Sequence, residues 1–339
     1  MRASEKDVEG MISTFKVRIN DVNDGFNMGK ELKVYPVRTL SRPSIEAYIL
    51  DAPEARALAC FPHIVGEAFI QLNRKLSTKA AEAIVNVVGL EEWKGYVVHV
   101  HVLRAGSGYM MSEGLKHELG QIADVYIRPL YSKNRKKIEI TYSDFSQLPK
   151  NAGLAAVIPD TVATGFTLIK VLRKLAEEAN KVGSWIDTLV IYGFIADYGL
   201  ERIAKEAKAL KINFTYFFAL EDVAALAGNY YDMVLYGPDT SQEAFKPLGA
   251  ITHYDILREC INYYVPGLDQ PGDWSNRQPV LFNGNTWEKV DLLQHLSESR
   301  ETIESIQQRY SRYMWFKKWH KHICEAQIRA IKAQEERYS

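Results

Sequence analysis

The stretch from Leu154 to Leu168, LAAVIPDTVATGFTL, constrains the fold of this chain more than any other. Its first five residues, 154–158, form an apolar run with the length and composition of a buried strand in a parallel sheet. A short polar turn that contains Gly165 follows, and from Leu168 apolar residues recur every third or fourth position, as on one face of a helix. The sequence therefore predicts a strand, a turn and a helix N-terminus in immediate succession.

A turn of this kind is suited to binding a phosphate group. The first turn of a helix has unpaired N–H groups and carries the positive end of the helix dipole. Thr164 and Thr167 add hydroxyl donors, and Gly165 allows the backbone to approach an anion closely. Asp160, at the end of the strand, is an acceptor that suits the hydroxyls of a sugar such as ribose. From the spacing alone, an ordinary helix cap formed by Asp and Thr side chains is an equal alternative.

A second unit with the same design lies earlier in the chain. Residues 96–103 form a β-branched run typical of a central strand, and the turn 104–108 follows before helical spacing resumes. Arg104 in this turn can form a forked contact with phosphate oxygens, or it can pair with a surface carboxylate. A dinucleotide-binding fingerprint would require glycine at position 111, where the chain has methionine. The turn is therefore better suited to a diphosphate than to a dinucleotide.

Strand and helix patterns alternate through most of the chain. Further strands are predicted at residues 124–127, 138–142, 187–195, 212–220 and 233–236. This alternation predicts an α/β fold with a doubly wound, mainly parallel sheet. Ligands of such sheets bind at the carboxyl ends of the strands, which is where both turns would lie.

The pattern divides the 339 residues into three parts: a polar N-terminal arm (1–30), an α/β domain (31–285) and a C-terminal helical extension (286–339). Residues 32–86 are predicted to be mostly helical. In the extension, aromatic residues alternate with basic ones between 310 and 322. We interpret it as one long helix or a helix pair that packs on the domain or on a sister subunit, with an aromatic and basic surface for nucleic acid as the alternative.

Composition excludes several classes of protein. Lys plus Arg and Asp plus Glu both number 42, and this zero net charge argues against a strongly basic nucleic-acid-binding protein. No apolar run reaches the roughly 18 residues of a membrane-spanning helix, and the charged N-terminus lacks the apolar segment of a secretion signal. The three cysteines lie far apart without metal-binding spacing, so we expect reduced, buried thiols in a cytoplasmic protein.

Three segments in a fixed order resemble motifs of the uracil phosphoribosyltransferases, which are type I phosphoribosyltransferases. VLRAGSGYMMSEGL (102–115) is similar to their diphosphate-binding segment, and VIPDTVATGFT (157–167) to their loop for phosphoribosyl diphosphate (PRPP). YYVPGLDQPGDW (263–274), which by composition alone is a tightly shaped loop or an inert connector, is similar to their uracil-binding loop. The resemblance extends from about residue 90 to about residue 275.

The resemblance implies a role for each matching residue. The catalytic residues would be Arg104, on the diphosphate, and Asp160, on the ribose hydroxyls. The remaining PRPP contacts would come from the two turns, through Ala105, Gly106, Thr161, Ala163, Thr164, Gly165, Phe166 and Thr167. The base would be bound by Tyr264, Val265, Gly267, Gly272 and Asp273. The cationic segment 131–137 would close over the substrate as a flexible loop and bring Lys133 and Arg135 to it.

The implied reaction is transfer of the phosphoribosyl group from PRPP to a free nucleobase, most directly uracil, which gives UMP and diphosphate in pyrimidine salvage. The implied cofactor is magnesium (Mg²⁺), carried by PRPP without direct protein ligands, and the family implies a dimer. Three alternatives remain: transfer to another base such as orotate or a purine; a non-catalytic paralogue that binds PRPP or a nucleotide and signals through the C-terminal helices; and a helical scaffold or RNA-binding protein.

The chain departs from the family pattern at three places. Pro159-Asp160 reverses the acidic-then-proline order, and Phe166 replaces a glycine where the phosphate would sit. In the third segment Asp-Gln-Pro at 269–271 replaces Gly-Asp-Ala, and Pro271 has no backbone N–H. Because backbone groups of this loop read uracil in the family, the identity of the base follows least directly from the resemblance.

Overall fold

One large mixed sheet organises the computed structural model, which describes residues 3–29, 31–131 and 137–339. The strands are β1 (Phe26–Asn27), β2 (Lys33–Pro36), β3 (Ile45–Asp51), β4 (Tyr96–Val102), β5 (Ala123–Tyr131), β6 (Ile138–Asp144), β7 (Gly153–Pro159), β8 (Trp185–Ala196), β9 (Phe214–Leu226), β10 (Met233–Val234), β11 (Tyr236–Pro238), β12 (Pro247–Gly249), β13 (Val280–Phe282) and β14 (Trp287–Lys289). The helices are α1 (Glu5–Phe15), α2 (Pro53–Cys60), α3 (Gly66–Val88), α4 (Met111–Leu119), α5 (Phe166–Lys181), α6 (Asp197–Ala209), α7 (Tyr254–Cys260), α8 (Leu292–Tyr310) and α9 (Lys318–Tyr338).

The order of the strands in the large sheet is β1-β2-β3-β9-β8-β7-β4-β5-β6, and β10 pairs with β9. All neighbours from β3 to β5 along this order are parallel. The outer strands β1, β2 and β6, together with β10, pair antiparallel. The predicted α/β fold with a mainly parallel sheet and C-terminal helices is confirmed.

The direction of the chain across the sheet reverses between β4 and β7. From β4 the next strand, β5, lies on one side, whereas β7, β8 and β9 follow one another on the other side. The parallel register from Tyr96–Leu154 to His99–Val157 brings the carboxyl ends of β4 and β7 to the same edge. A crevice opens at such a reversal, so the fold places the turns that follow β4 and β7 on its two sides.

The central strands are buried on both faces, as parallel strands covered by helices must be. In β7 every residue from Leu154 to Pro159 is buried. Helix α5 begins at Phe166 and buries the predicted face that includes Leu168, Val171 and Leu172. The strand and helix on either side of the turn 160–165 are therefore anchored in the core.

The predictions for the N-terminal region are wrong in two places. Within the predicted polar arm, residues 5–15 form α1, which a capping box of Ser4 and Asp7 begins and which buries Phe15 in the core. Residues 45–51, predicted to be helical, form β3. A proline followed by an acidic residue, here Pro43 and Glu46, is typical of a helix start, but parallel pairing with β9 makes this segment a strand.

The C-terminal extension forms a pair of helices, α8 and α9, whose apolar residues belong to the same continuous core as the sheet. Trp315 and Trp319 are 8% and 4% exposed, and Trp315 contacts the Phe15 ring edge-on with centroids 5.0 Å apart. The packing interpretation is confirmed, and an exposed aromatic surface is wrong for these two tryptophans. The first residues of the predicted helical extension (286–339) are not helical, because Trp287–Lys289 form β14 in a small hairpin with β13 and α8 begins only at Leu292.

All three cysteines are buried free thiols, as predicted. Within the described residues, no helix combines the length and the apolar composition that are needed to cross a membrane.

Candidate active site

A cleft of about 220 Å³ opens at the carboxyl ends of β4 and β7. Three segments that are far apart in the sequence supply most of its lining, namely residues 102–105, 160–167 and 269–275. Each segment comes from one of the three motifs identified in the sequence. A larger cleft of about 820 Å³ lies near the amino end of β4, but the three motifs do not meet there.

The turn after β4 presents Arg104 to this cleft. Its φ of 95° is strained for a residue with a side chain, and two hydrogen bonds hold its carbonyl oxygen. Gln278 Nε2 donates to that oxygen at 2.9 Å and Ser107 Oγ donates at 3.3 Å. The guanidinium is exposed, and its charge acts on the Asp273 carboxyl, which also lines the cleft.

The turns that follow β4 and β7 contact each other through Gly106 and Pro159. A Cβ atom on Gly106 would lie only 2.7 Å from the Pro159 carbonyl oxygen. Tyr109 joins the turns a second time, since its hydroxyl lies 2.7 Å from Thr161 Oγ1 and accepts a hydrogen bond from Phe194 N at 3.2 Å. The two turns therefore form one continuous wall of the cleft.

Replacing Gly106 with alanine is expected to weaken this wall. The added methyl group would push the two turns apart, at a cost of roughly 1–3 kcal/mol in the free energy of unfolding. Urea unfolding measures this loss. The matched control is Gly10→Ala in α1, where an added Cβ meets nothing within 4 Å and alanine is expected to be neutral or to stabilise by up to about 1 kcal/mol. Equal unfolding midpoints for Gly106→Ala and the native chain would contradict the proposed contact.

The turn after β7 leads into the N-terminus of α5. Gly165 precedes the helix with φ 76°, and a Cβ there would meet the Gly199 carbonyl oxygen at 3.0 Å. Thr161, Ala163 and Thr167 line the cleft, and Thr167 Oγ1 donates to the Tyr131 hydroxyl at 3.3 Å. The end of β5 thus reaches the turn that follows β7.

Two further residues of this turn lie beside the cleft lining. Thr164 is half-buried, and Phe166 points toward α6 with its ring 48% exposed. The Arg202 guanidinium carbon lies 3.7 Å from the centroid of the Phe166 ring, a cation–π contact. Phe166 therefore does not fill the space that its replacement of glycine appeared to close.

The loop 263–274 faces the cleft only with its second half. Gly272, Asp273 and Trp274 line it, and the Trp274 ring stacks on Tyr109 with centroids 4.4 Å apart. The residues of the first half lie behind this surface. They are Tyr264 and Val265, which are fully buried, and Gly267, which has φ 86° and whose N–H donates to the Tyr236 carbonyl at 2.9 Å.

Arg277, which the sequence analysis missed, lies in the core behind this loop. Its side chain is fully buried and donates to four carbonyl oxygens at 2.9–3.4 Å. The acceptors are the carbonyl groups of Leu58, Phe61, Ile64 and Pro271. Gln278 and Tyr109 were missed as well. Tyr109 stands within a motif, but Arg277 and Gln278 lie just beyond the third one, where no periodicity marks them.

Burial changes the pKa values of the carboxyl groups in the cleft. It raises the pKa of Asp160 to about 7, although the Thr161 N–H donates to this carboxyl at 2.9 Å. Burial also raises the pKa of Asp273, and the nearby Arg104 charge acts in the opposite direction. The pKa of Asp269 is raised well above its ordinary value by burial. A ligand that brings hydroxyl donors or a cation would stabilise the charged form of these carboxyls.

Lys133 and Arg135, the predicted flexible-loop residues, lie outside the described residues. Their role stays a prediction.

No protein-family model and no curated protein matches the sequence. Solved structures with a similar fold include a protein from Aquifex aeolicus, which is 17% identical, with a TM-score of 0.39 over 53% of this chain and 84% of the other. A purine phosphoribosyltransferase from Pyrococcus horikoshii is 23% identical, with a TM-score of 0.29 over 42% of this chain and 82% of the other.

The adenine phosphoribosyltransferase from Trypanosoma brucei, solved with AMP, pyrophosphate and ribose-5-phosphate, is 13% identical, with a TM-score of 0.35 over 52% of this chain and 84% of the other. At these identities and scores the likeness does not assign a function to this chain.

Proposed function

We propose that this protein transfers the phosphoribosyl group of PRPP to a free nucleobase and releases diphosphate. The observation that carries the proposal is the meeting of three distant segments around one cleft. Arg104, Asp160 and Asp273 come from these three segments and all line it. The cleft also lies at the reversal of strand order, where α/β sheets bind their ligands.

In the proposed reaction the bond between the anomeric carbon and a diphosphate oxygen breaks, and a bond from that carbon to a ring nitrogen of the base forms. The proton of that ring nitrogen passes to the released diphosphate. The transition state resembles an oxocarbenium ion, so the negative charge of the leaving diphosphate has to be stabilised. Arg104 and the N–H groups of its turn would do this. Asp160 would accept hydrogen bonds from the ribose hydroxyls, and the N-terminus of α5 would bind the 5′-phosphate.

The acidic side chains of the cleft fit a magnesium ion carried by PRPP. Mg²⁺ prefers oxygen ligands and keeps much of its hydration shell, so carboxylates can hold it through water. Asp160, Asp269 and Asp273 offer such oxygens, and one oxygen of each already accepts a backbone N–H. When bound, the ion would neutralise charge on the diphosphate.

Uracil is the base that we propose first, because of the resemblance of segment 263–274 to the uracil-binding loop. Orotate and the purines are the competing acceptors. The same resemblance extends the proposal to a homodimer, and the buried free cysteines extend it to the cytoplasm. Light scattering of the purified protein would measure the subunit number.

The test is diphosphate release from PRPP and Mg²⁺ with a panel of free bases, in which uracil is expected to give the fastest release. In this assay Arg104→Ala is expected to lower turnover by on the order of 100-fold, because a charge that stabilises the leaving group is lost. Arg104→Lys keeps the charge but loses the paired N–H donors of the guanidinium, so an intermediate rate is expected.

The control is Arg329→Ala, which removes an exposed arginine of α9 outside the cleft. It is expected to keep native turnover. Native rates in Arg104→Ala, or no release with any base, would overturn the proposed reaction.

A regulator that binds PRPP or a nucleotide without turnover is the second candidate, favoured by contacts between the C-terminal helices and the loop 263–274. Gln327 Nε2 of α9 donates to the Tyr263 carbonyl at 3.1 Å. A Cβ on Gly272 would meet the His295 ring of α8 at 2.7 Å. This candidate predicts that PRPP raises the melting temperature although no base releases diphosphate.

A further inference from the structure

A second group of ionisable side chains lies on one face of β4 and β5, outside the cleft. His99 and His101 are two residues apart in β4 and so project from the same face. Asp124 of β5 is the register partner of His99. The candidate ligand atoms of these three side chains all lie within 4.8 Å of one another.

The two histidines converge on one carboxylate oxygen. His101 Nε2 lies 2.9 Å and His99 Nδ1 lies 3.4 Å from Asp124 Oδ1. Such separations between donor atoms allow one ion to sit about 2.0–2.2 Å from each of them. The cluster is thus a preformed set of two imidazoles and a carboxylate.

The His99 imidazole has no hydrogen-bond partner in this cluster. Its side chain is 2% exposed, and neither ring nitrogen makes a hydrogen bond, despite the short distance to Asp124. Burying a polar group without a partner typically costs about 1–3 kcal/mol. The His99 ring thus faces two other potential ligands and makes no hydrogen bond. A bound cation would give it the missing partner.

We propose that His99, His101 and Asp124 bind a divalent transition-metal ion of the zinc class. Imidazole nitrogens favour Zn²⁺, Co²⁺ and Ni²⁺ over Mg²⁺ and Ca²⁺, which prefer oxygen. The site is therefore distinct from the magnesium that PRPP carries.

The surroundings of Asp124 resemble the outer shell of a metal site. Ser112 Oγ donates to Oδ1 at 2.9 Å and Lys116 Nζ donates to Oδ2 at 2.5 Å, so both hold the carboxylate in place. The His101 side chain is 16% exposed and that of Lys116 47%, which gives the ion a route from solvent. Bound metal would cross-link β4 and β5 and, through Ser112 and Lys116, hold α4 to them.

The alternative is a polar network in which Lys116 alone neutralises Asp124. This network binds no metal. A titration of the full-length protein, treated first with a chelator, distinguishes the two. We expect one Co²⁺ per chain, visible ligand-field absorption, its loss when Zn²⁺ displaces Co²⁺, and a higher melting temperature with Zn²⁺.

His101→Gln is the decisive variant because this side chain is partly exposed, so the fold is expected to survive, as circular dichroism would verify. Loss of an outer-shell partner alone weakens metal binding by about 10- to 100-fold, so loss of this ligand is expected to weaken it by at least roughly 100-fold. The matched control is His117→Gln, which removes a histidine that is 71% exposed and is expected to change nothing.

The proposal is overturned if the native chain shows no saturable binding of Co²⁺ or Zn²⁺. It is also overturned if folded His101→Gln binds Co²⁺ as tightly as the native chain. Neither readout uses PRPP, so this result and that of the diphosphate assay are independent.

Discussion

Asp160→Asn is expected to lower turnover by on the order of 1000-fold and to stabilise the fold at alkaline pH. Turnover falls because asparagine removes the negative charge beside the proposed position of the ribose. We expect a larger loss than for Arg104→Ala, because Asp160 is 5% exposed and little water screens it, whereas Arg104 is exposed.

The gain in stability follows from the pKa of the buried carboxyl. Burial raises the pKa of Asp160 from 3.8 to about 7. Between these two values the folded state keeps a proton that the unfolded state has lost, so this group's contribution to stability falls as the pH rises through that window. Above pH 7 the full cost of the buried charge is present. Asparagine removes that cost, which we put on the order of 2–4 kcal/mol.

Urea unfolding of both proteins at pH 4 and pH 8 measures this effect, and diphosphate release measures turnover. The native chain and the variant are expected to have nearly the same free energy of unfolding at pH 4. At pH 8 the variant is expected to have the larger one. Asp24→Asn, a change at a fully exposed side chain, is the control and is expected to change neither quantity. If Asp160→Asn keeps native turnover, Asp160 has no role in the reaction.

Arg277→Met is expected to cause the largest loss of stability of any change considered, roughly 3–5 kcal/mol. Methionine fills much of the volume but leaves four buried carbonyl groups without their donor. Contacts of the guanidinium with Phe69 and Trp274, at 5.1 and 5.7 Å from the ring centroids, are lost as well. Since Pro271 is one of the acceptors, the cleft side of the loop should loosen too.

Equilibrium unfolding in urea measures the loss. Arg277→Lys is the informative partner, because it keeps a charge but a single ammonium group cannot span the four acceptors, so an intermediate stability is expected. Arg329→Met is the matched control at an exposed position and is expected to be near neutral. A native unfolding midpoint for Arg277→Met would show that the carbonyl groups find other donors.

The sequence predicted those strands, turns and helices that are marked by residues close to one another in the chain. The strand, turn and helix around Gly165 are marked by an apolar run, a turn and a helical period, and the structure has all three. β3 was misread because parallel pairing with β9, which is distant in sequence, determines its conformation. Arg277 and Gln278 were missed for the same reason, since their partners come from other parts of the chain.

The meeting of the turns after β4 and β7 followed from a general rule of parallel sheets and needed no side-chain detail. The exposed orientation of Phe166 over Arg202 could not be predicted in this way, because it depends on where α6 packs. Sequence patterns thus located the cleft, whereas the residues that hold its walls together emerged only from the structure.

The support of loop 263–274 by the C-terminal helices has a consequence for protein engineering. Gln327 holds one end of this loop from behind, and the His295 ring leaves no space for a side chain at Gly272 near the other end. A loop transplanted from an enzyme of different base preference would arrive without these supports. Under the proposed function, a change of base preference would therefore require the loop and its two supporting helices to be transferred together.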